Sequence, residues 1–438
     1  MFGKIVEKIF RNRGFKRVIG LPALVMIGIG ASIEASIFVL LGEGVKIAGA
    51  LLPISFVFGG SIALLAAFVY AKIASIRPVS GADISFMFEI FKSRPFAFGL
   101  SWLIVLGDLS FIALNALGLG IYLNNLLGLS EIVIALISIV IVAVINIYGI
   151  KKTSLIESTL VCILLIFLVS FIVSLIIPAD FRLLTQNYLH SDYGPVWLIL
   201  SGTALIFTTF IGYEDITSVS AEVVEPGKVI PRALIYTVII TTIIYTALAF
   251  LLVSNLPVVE IITAKVPLIN LAEKIRFPVS FVYTGAVIAV ATTLVATILV
   301  ASRKMFALFQ EVGVAPTLLK INKQGVPARL VLILTLISIF LIISGSVTYI
   351  AYISNGVYLI GLIANTIGVI IFERGKRHLD TTYKIPGHPY SLYLLILFAS
   401  TLIFFTDKKS LLSVLIWLIV GLVIFFLAKR FKNLGFTK

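Results

Sequence analysis

Cysteine is almost absent from this 438-residue chain. The single thiol, Cys162, lies inside an apolar run, so no disulfide framework is possible and packing is its expected role. The three histidines, His190, His378 and His388, fall in connecting segments and do not cluster with the cysteine, so neither a zinc site nor a thiol nucleophile is supported. Charge is scarce too: 12% of residues are Asp, Glu, Lys or Arg, against 60% hydrophobic. A soluble domain does not have that balance. No cluster of nucleophile, base or metal ligands is visible, so neither an enzyme nor a bound cofactor is expected.

What is present is a series of apolar runs about 20 residues long, the length that spans a bilayer as a helix. Lipid cannot satisfy backbone amides, so a span must be a helix or part of a closed barrel. The runs are continuous rather than alternating, which selects helices. Twelve spans are expected, at 18–42, 51–75, 96–127, 131–149, 155–178, 195–221, 232–255, 279–306, 328–344, 346–371, 390–406 and 411–430. The connections leave no room for a soluble domain. The first apolar segment is too long for a leader and lacks a small-residue cleavage site, so no cleavable signal is expected.

A net charge of +14 raises the question of nucleic acid. Topology explains it better, and no nucleic-acid partner is expected. With the N-terminus inside, 27 of the 34 Lys and Arg fall on the inner side, which predicts a multi-pass protein with both termini cytoplasmic. Residues 1–17 are basic and amphipathic, with Ile5, Val6, Ile9 and Phe10 on one side, and are expected to lie on the anionic inner lipid surface.

Two units of five spans follow one another, 18–178 and 195–371. Five spans invert the orientation of whatever comes next, so two such units are related by an axis in the membrane plane. The first span of each unit is interrupted, by Gly28, Gly30 and Glu34 in one and by "FIGYEDI" (210–216) in the other. Paired interruptions are the best pointer from sequence to a transport site, because a broken helix frees amides on one half and carbonyls on the other. The competing reading is that the glycines serve close helix packing.

These stretches resemble the amino acid–polyamine–organocation (APC) family of permeases. That family's first helix reads like "GIGAIIGAGIFVLLG", and here it is "GIGASIEASIFVLLG" (28–42). Its sixth helix and the loop after it read like "FIGFDAVSTLAEEVKNPKRNIPRAI", and here "FIGYEDITSVSAEVVEPGKVIPRAL" (210–234). "YAKIASIRPVSGA" (70–82), "ASRKMFALFQEVGVAPTLLKINKQGVPA" (301–328) and "YKIPGHP" (383–389) match further family segments in order. The resemblance implies an all-α membrane protein with a LeuT-type 5+5 inverted-repeat core (18–371). Two additional helices (390–430) and a cytoplasmic tail (431–438) complete twelve transmembrane helices. It implies a secondary transporter in the cell membrane that moves amino acids by alternating access, proton-coupled or exchanging.

Carried over by position, the substrate site consists of Ile33, Glu34, Ala35, Ser36 and Ile37 at the first break. Thr208, Thr209, Ile211, Gly212 and Tyr213 form the second. Glu34 stands where the family has a glycine whose neighbouring amides bind a substrate carboxylate. It either enters the site or turns aside and caps those amides itself. Thr292 and Thr293 are in position for a sodium site, although helix hydroxyls usually bond their own i−4 carbonyl. "SNG" (354–356) can add polar groups. The lysine that some proton-coupled members carry in the fifth helix is missing, Leu164 standing near that position, so H+, Na+, exchange and uniport stay open.

Four acids lie within spans: Glu34, Asp108, Glu214 and Asp215. No Lys or Arg is clearly inside a span to pair with them. An ionised carboxylate at the bilayer centre costs about 2.5–3.5 kcal/mol on insertion scales. Each acid must therefore carry a proton, face water or meet a bound cation. All four are candidates for proton coupling or gating, Glu214 foremost. Two other readings compete with an amino acid permease: a polyamine or organic-cation transporter that uses these acids as counter-charges, and a non-transporting membrane sensor of the same fold. Oligomeric state is not legible.

Overall fold

A computed structural model describes residues 18–76, 82–148, 154–189, 191–313, 317–375 and 383–433. The amphipathic segment at 1–17, His190, His378 and the tail at 434–438 lie outside the described residues. Those that are described form helices and short connections, with one isolated parallel β-bridge between Ile19 and Val223.

Thirteen helices carry the architecture: α1 (Leu21–Ser32), α2 (Ala35–Val39), α3 (Leu52–Ile76), α4 (Arg94–Leu127), α5 (Glu131–Tyr148), α6 (Ser154–Ile176), α7 (Gly194–Ile206), α8 (Pro226–Asn255), α9 (Val279–Val312), α10 (Ala328–Ile343), α11 (Val347–Arg374), α12 (Tyr390–Phe404) and α13 (Lys408–Asn433). Their ends follow local chemistry. α1 and α4 open with proline in the first turn, where the missing N–H has no intrahelical partner to lose. α4 and α9 close at Gly128 and Gly313, both left-handed.

Nine described stretches are long and apolar enough to cross a membrane, and α1, α10 and α12 are shorter apolar helices. Each expected span coincides with one of these helices or, for 18–42 and 195–221, with a helix that is broken. α9 runs six residues past the expected end at 306.

The outer surface is unlike that of a soluble bundle, and the apolar core includes buried polar groups. Ile166, Phe340 and Phe426 point outward from α6, α10 and α13 and are exposed. Glu34, Asn115, Thr208 and Asn355 are buried at 0% exposure. Apolar outside and selectively polar inside is the pattern lipid imposes. The membrane window of α4 is 83% buried and that of α13 only 22%, so α4 belongs to the centre and α13 to the rim.

Candidate functional site

The first break falls at Ile33–Glu34, between α1 and α2, where both residues are extended. The expected interruption ran from Gly28 and Gly30 to Glu34; its Glu34 end coincides with the break, while the two glycines continue α1. A Cβ on Gly28 would lie 2.5 Å from both Ile216 and Thr237, and one on Gly30 2.5 Å from Val161. Their small size serves close packing, and the interruption itself comes three to four residues after Gly30.

The second break follows α7. Residues Phe207–Phe210 and Tyr213–Glu222 tighten into 3-10 turns on either side of Ile211–Gly212, and Gly212 adopts φ 113°. The two breaks touch. A Cβ on Gly212 would stand 2.3 Å from the Ala31 carbonyl oxygen. At their other ends the same two elements are stitched together, the Val18 and Ile19 amides donating to the Glu222 carbonyl (2.9 and 3.0 Å) and the Val224 amide to Ile19 (3.0 Å). α1 and the 213–222 segment therefore form one body.

Side chains satisfy several of the groups the breaks expose, most of them from distant helices. The Tyr245 hydroxyl donates to the Ser32 carbonyl (2.7 Å) and Thr293 to the Gly30 carbonyl (3.1 Å). The Ala35 amide donates to Asn115 Oδ1 (3.2 Å). Asn355 Nδ2 donates to the Ala204 and Leu205 carbonyls, both at 2.9 Å, at the end of α7. The Gly212 amide donates to Glu214 Oε2 at 3.0 Å. Thr293 thus reaches the first break, while Thr292 donates to Ile288 and Ala289 in its own helix.

Five buried oxygens at or beside the breaks have no protein partner: both carboxylate oxygens of Glu34, Ser36 Oγ, Thr208 Oγ1 and Asn355 Oδ1. The Glu34 carboxylate has the Ser36 hydroxyl, Asn115 and the Ala35 and Ser36 amides nearby, yet none meets it in hydrogen-bonding geometry and it does not cap α2. Orphaned polar atoms are rare in protein interiors and call for an occupant.

Beside the second break lies a cavity of about 50 Å³, enough for several waters. Ile211, Gly212, Glu214 and Asp215 supply one wall, and Asp108 from α4 another. The Ile33–Ile37 run and Thr208 and Thr209 are buried but are not part of these walls. Tyr213, also outside the wall, shares a 3.0 Å hydrogen bond with Tyr358, and the Tyr70 ring meets Tyr213 edge-on at 6.2 Å and Tyr358 at a tilt at 6.4 Å. Tyr70, Tyr358, Asp83 and Asn365 all line the cavity and were not anticipated from sequence.

One expectation is overturned here. The intramembrane acids are not without a basic partner: Lys304 of α9 reaches Asp108 at 3.1 Å and Asp215 at 3.6 Å. All three side chains are under a quarter exposed. Lys304 falls inside the expected span 279–306, near its inner end, and was counted with the inward basic residues rather than as a partner for the acids. It lies seven residues, two helical turns, after Thr297, which also lines the cavity, so both sit on one face of α9.

The family model described as "Amino acid permease" matches residues 19–426. A branched-chain amino acid permease of Bacillus subtilis (strain 168) is 26% identical, covering 96% of this chain and 94% of its own. One from Lactococcus lactis subsp. cremoris is 25% identical, over 95% of each chain. A methylthioribose transporter of Bacillus subtilis is 22% identical, over 97% of this chain and 96% of its own.

Proposed function

The chain belongs to the amino acid permease family, and on that premise we propose that it carries amino acids across the cell membrane by alternating access. The observation that carries this reading is the meeting of the two helix breaks, Gly212 against Ala31, with the unpartnered oxygens of Glu34, Ser36, Thr208 and Asn355 beside them. Broken helices that face each other inside a membrane protein offer dipole ends and free polar groups to a zwitterion.

On this reading α1 and α2 together form one span and α7 with its 3-10 turns another, giving twelve. Residues 18–178 and 195–371 are the two inverted repeats, and α12 and α13 are the additional pair. The substrate contacts the residues of both breaks. A branched-chain substrate is favoured by the two related branched-chain amino acid permeases. The deciding experiment is uptake in proteoliposomes from a labelled panel of amino acids and polyamines, with and without a pH gradient. Uptake of no amino acid would end the reading.

A cationic amine is the second reading. It is favoured by the Glu34 carboxylate, which is fully buried with no cation paired to it.

Glu214 is assigned to gating and proton coupling. It holds the Gly212 amide and faces the cavity, so losing its charge alters the break directly. The variant E214Q is expected to shift the pH dependence of uptake while leaving the amount of protein in the membrane near normal. A pH profile identical to wild type removes Glu214 from coupling.

Both termini are assigned to the cytoplasm from the distribution of basic residues. A cysteine placed at Lys438, in a C162A background, should resist an impermeant thiol reagent in intact cells. Rapid labelling there would reverse the assignment.

A further inference from the structure

Lys304 is the basic residue that meets the intramembrane acids, and three separate elements converge on it. Its ammonium lies 3.1 Å from Asp108 Oδ1 on α4 and 3.6 Å from Asp215 Oδ1 on the 213–222 segment, while Lys304 itself belongs to α9. Asp83 and Glu214 line the same cavity without forming an ion pair to it within 4 Å. The adjacent Arg303 lies within electrostatic reach of Glu222 at the far end of that segment.

The mechanical consequence follows from which parts are already joined. The 213–222 segment is stitched to Val18 and Ile19 at one end and packed on Ala31 at the other, so it moves with α1. α4 carries the most buried stretch of the nine long apolar helices. The Asp215–Lys304–Asp108 bridge is thus the charged link between a body containing half of each broken helix and the α4–α9 pair. Its side chains are 13–23% exposed, buried enough to hold firmly and wet enough to exchange partners.

We propose that Lys304 is a gating residue: by bridging Asp108 and Asp215 it fastens the 213–222 segment, and α1 with it, to α4 and α9, and so keeps the cavity beside the breaks narrow. Parting the bridge frees the α1–segment body to swing and widens the path from the cavity to solvent. The inference rests on the alternating-access reading. Its test does not require a known substrate, so failure of the latch and failure of the transport reading are told apart.

The test places a reporter cysteine at Ser354, a buried cavity-lining position, in a C162A background. The labelling rate with a small membrane-impermeant thiol reagent is measured in proteoliposomes of mixed orientation. K304Q and D215N are each expected to raise the rate at least tenfold, and K304R to stay within about threefold of the parent. The K304Q/D215N double variant should label no faster than K304Q alone, because both changes part the same link. Should K304Q not reach the membrane, D215N carries the test by itself, since it leaves the Lys304–Asp108 pair in place. An unchanged rate in D215N, or equal acceleration by K304R and K304Q, overturns the proposal.

Discussion

Replacing Gly212 with alanine is expected to abolish uptake and to lower the yield of folded transporter. The backbone there has φ 113°, a conformation that L side chains rarely adopt. The added methyl would also sit 2.3 Å from the Ala31 carbonyl oxygen, a backbone atom that cannot rotate out of the way. Left-handed backbone alone costs about 1–2 kcal/mol for a residue with a Cβ, and overpacking adds about 1–3 kcal/mol. Since the contact joins the two breaks, the strain falls on the region proposed to bind substrate. Uptake per folded molecule should drop by at least about tenfold, which corresponds to roughly 1.4 kcal/mol. Gly128→Ala is the control: φ is 65° and nothing lies within 4 Å, so only the modest backbone term applies and uptake should persist. The measurements are uptake normalised to folded protein and thermal melting in detergent. If G212A melts and transports like wild type, the meeting of the breaks has no functional weight.

Glu34→Gln separates the two substrate classes and should have the larger effect on chemistry. Glu34 is buried at 0% exposure and neither carboxylate oxygen has a protein partner. A bare anion there is uncompensated, so the position needs either a proton or a positive ligand. For an amino acid substrate the proton is the answer, because an ionised Glu34 would repel the substrate carboxylate. Binding by wild type should then weaken as pH rises and Glu34 loses its proton. E34Q should bind the amino acid at least as well and lose most of that pH response. For a cationic amine the ionised side chain is the partner, and removing it costs about 3–5 kcal/mol, a loss of more than about a hundredfold in affinity. Binding against pH on wild type and E34Q decides between them. No change in either affinity or pH response would place Glu34 outside the site altogether.

The apolar helices were legible because lipid enforces a local rule: about 20 apolar residues in a helix. The apolar runs coincide with helices, and family membership follows from motifs spread along the chain. The second break was legible from Gly212 and the acids after it. The first was legible at Glu34, whereas Gly28 and Gly30, read as part of the same interruption, continue α1 and serve packing. No local rule could supply the partners. Asn115, Tyr245, Thr293 and Asn355 look like ordinary polar residues in apolar helices, yet each holds a group left open at a break. Lys304 and Asp108 are 196 positions apart and meet only because α4 and α9 pack side by side. Hydropathy marks which residues enter the membrane, and so the sequence by itself determined the helices, their breaks and the family. Which charges neutralise one another depends on how helices far apart in the chain are set against each other, and that the tertiary structure alone decided.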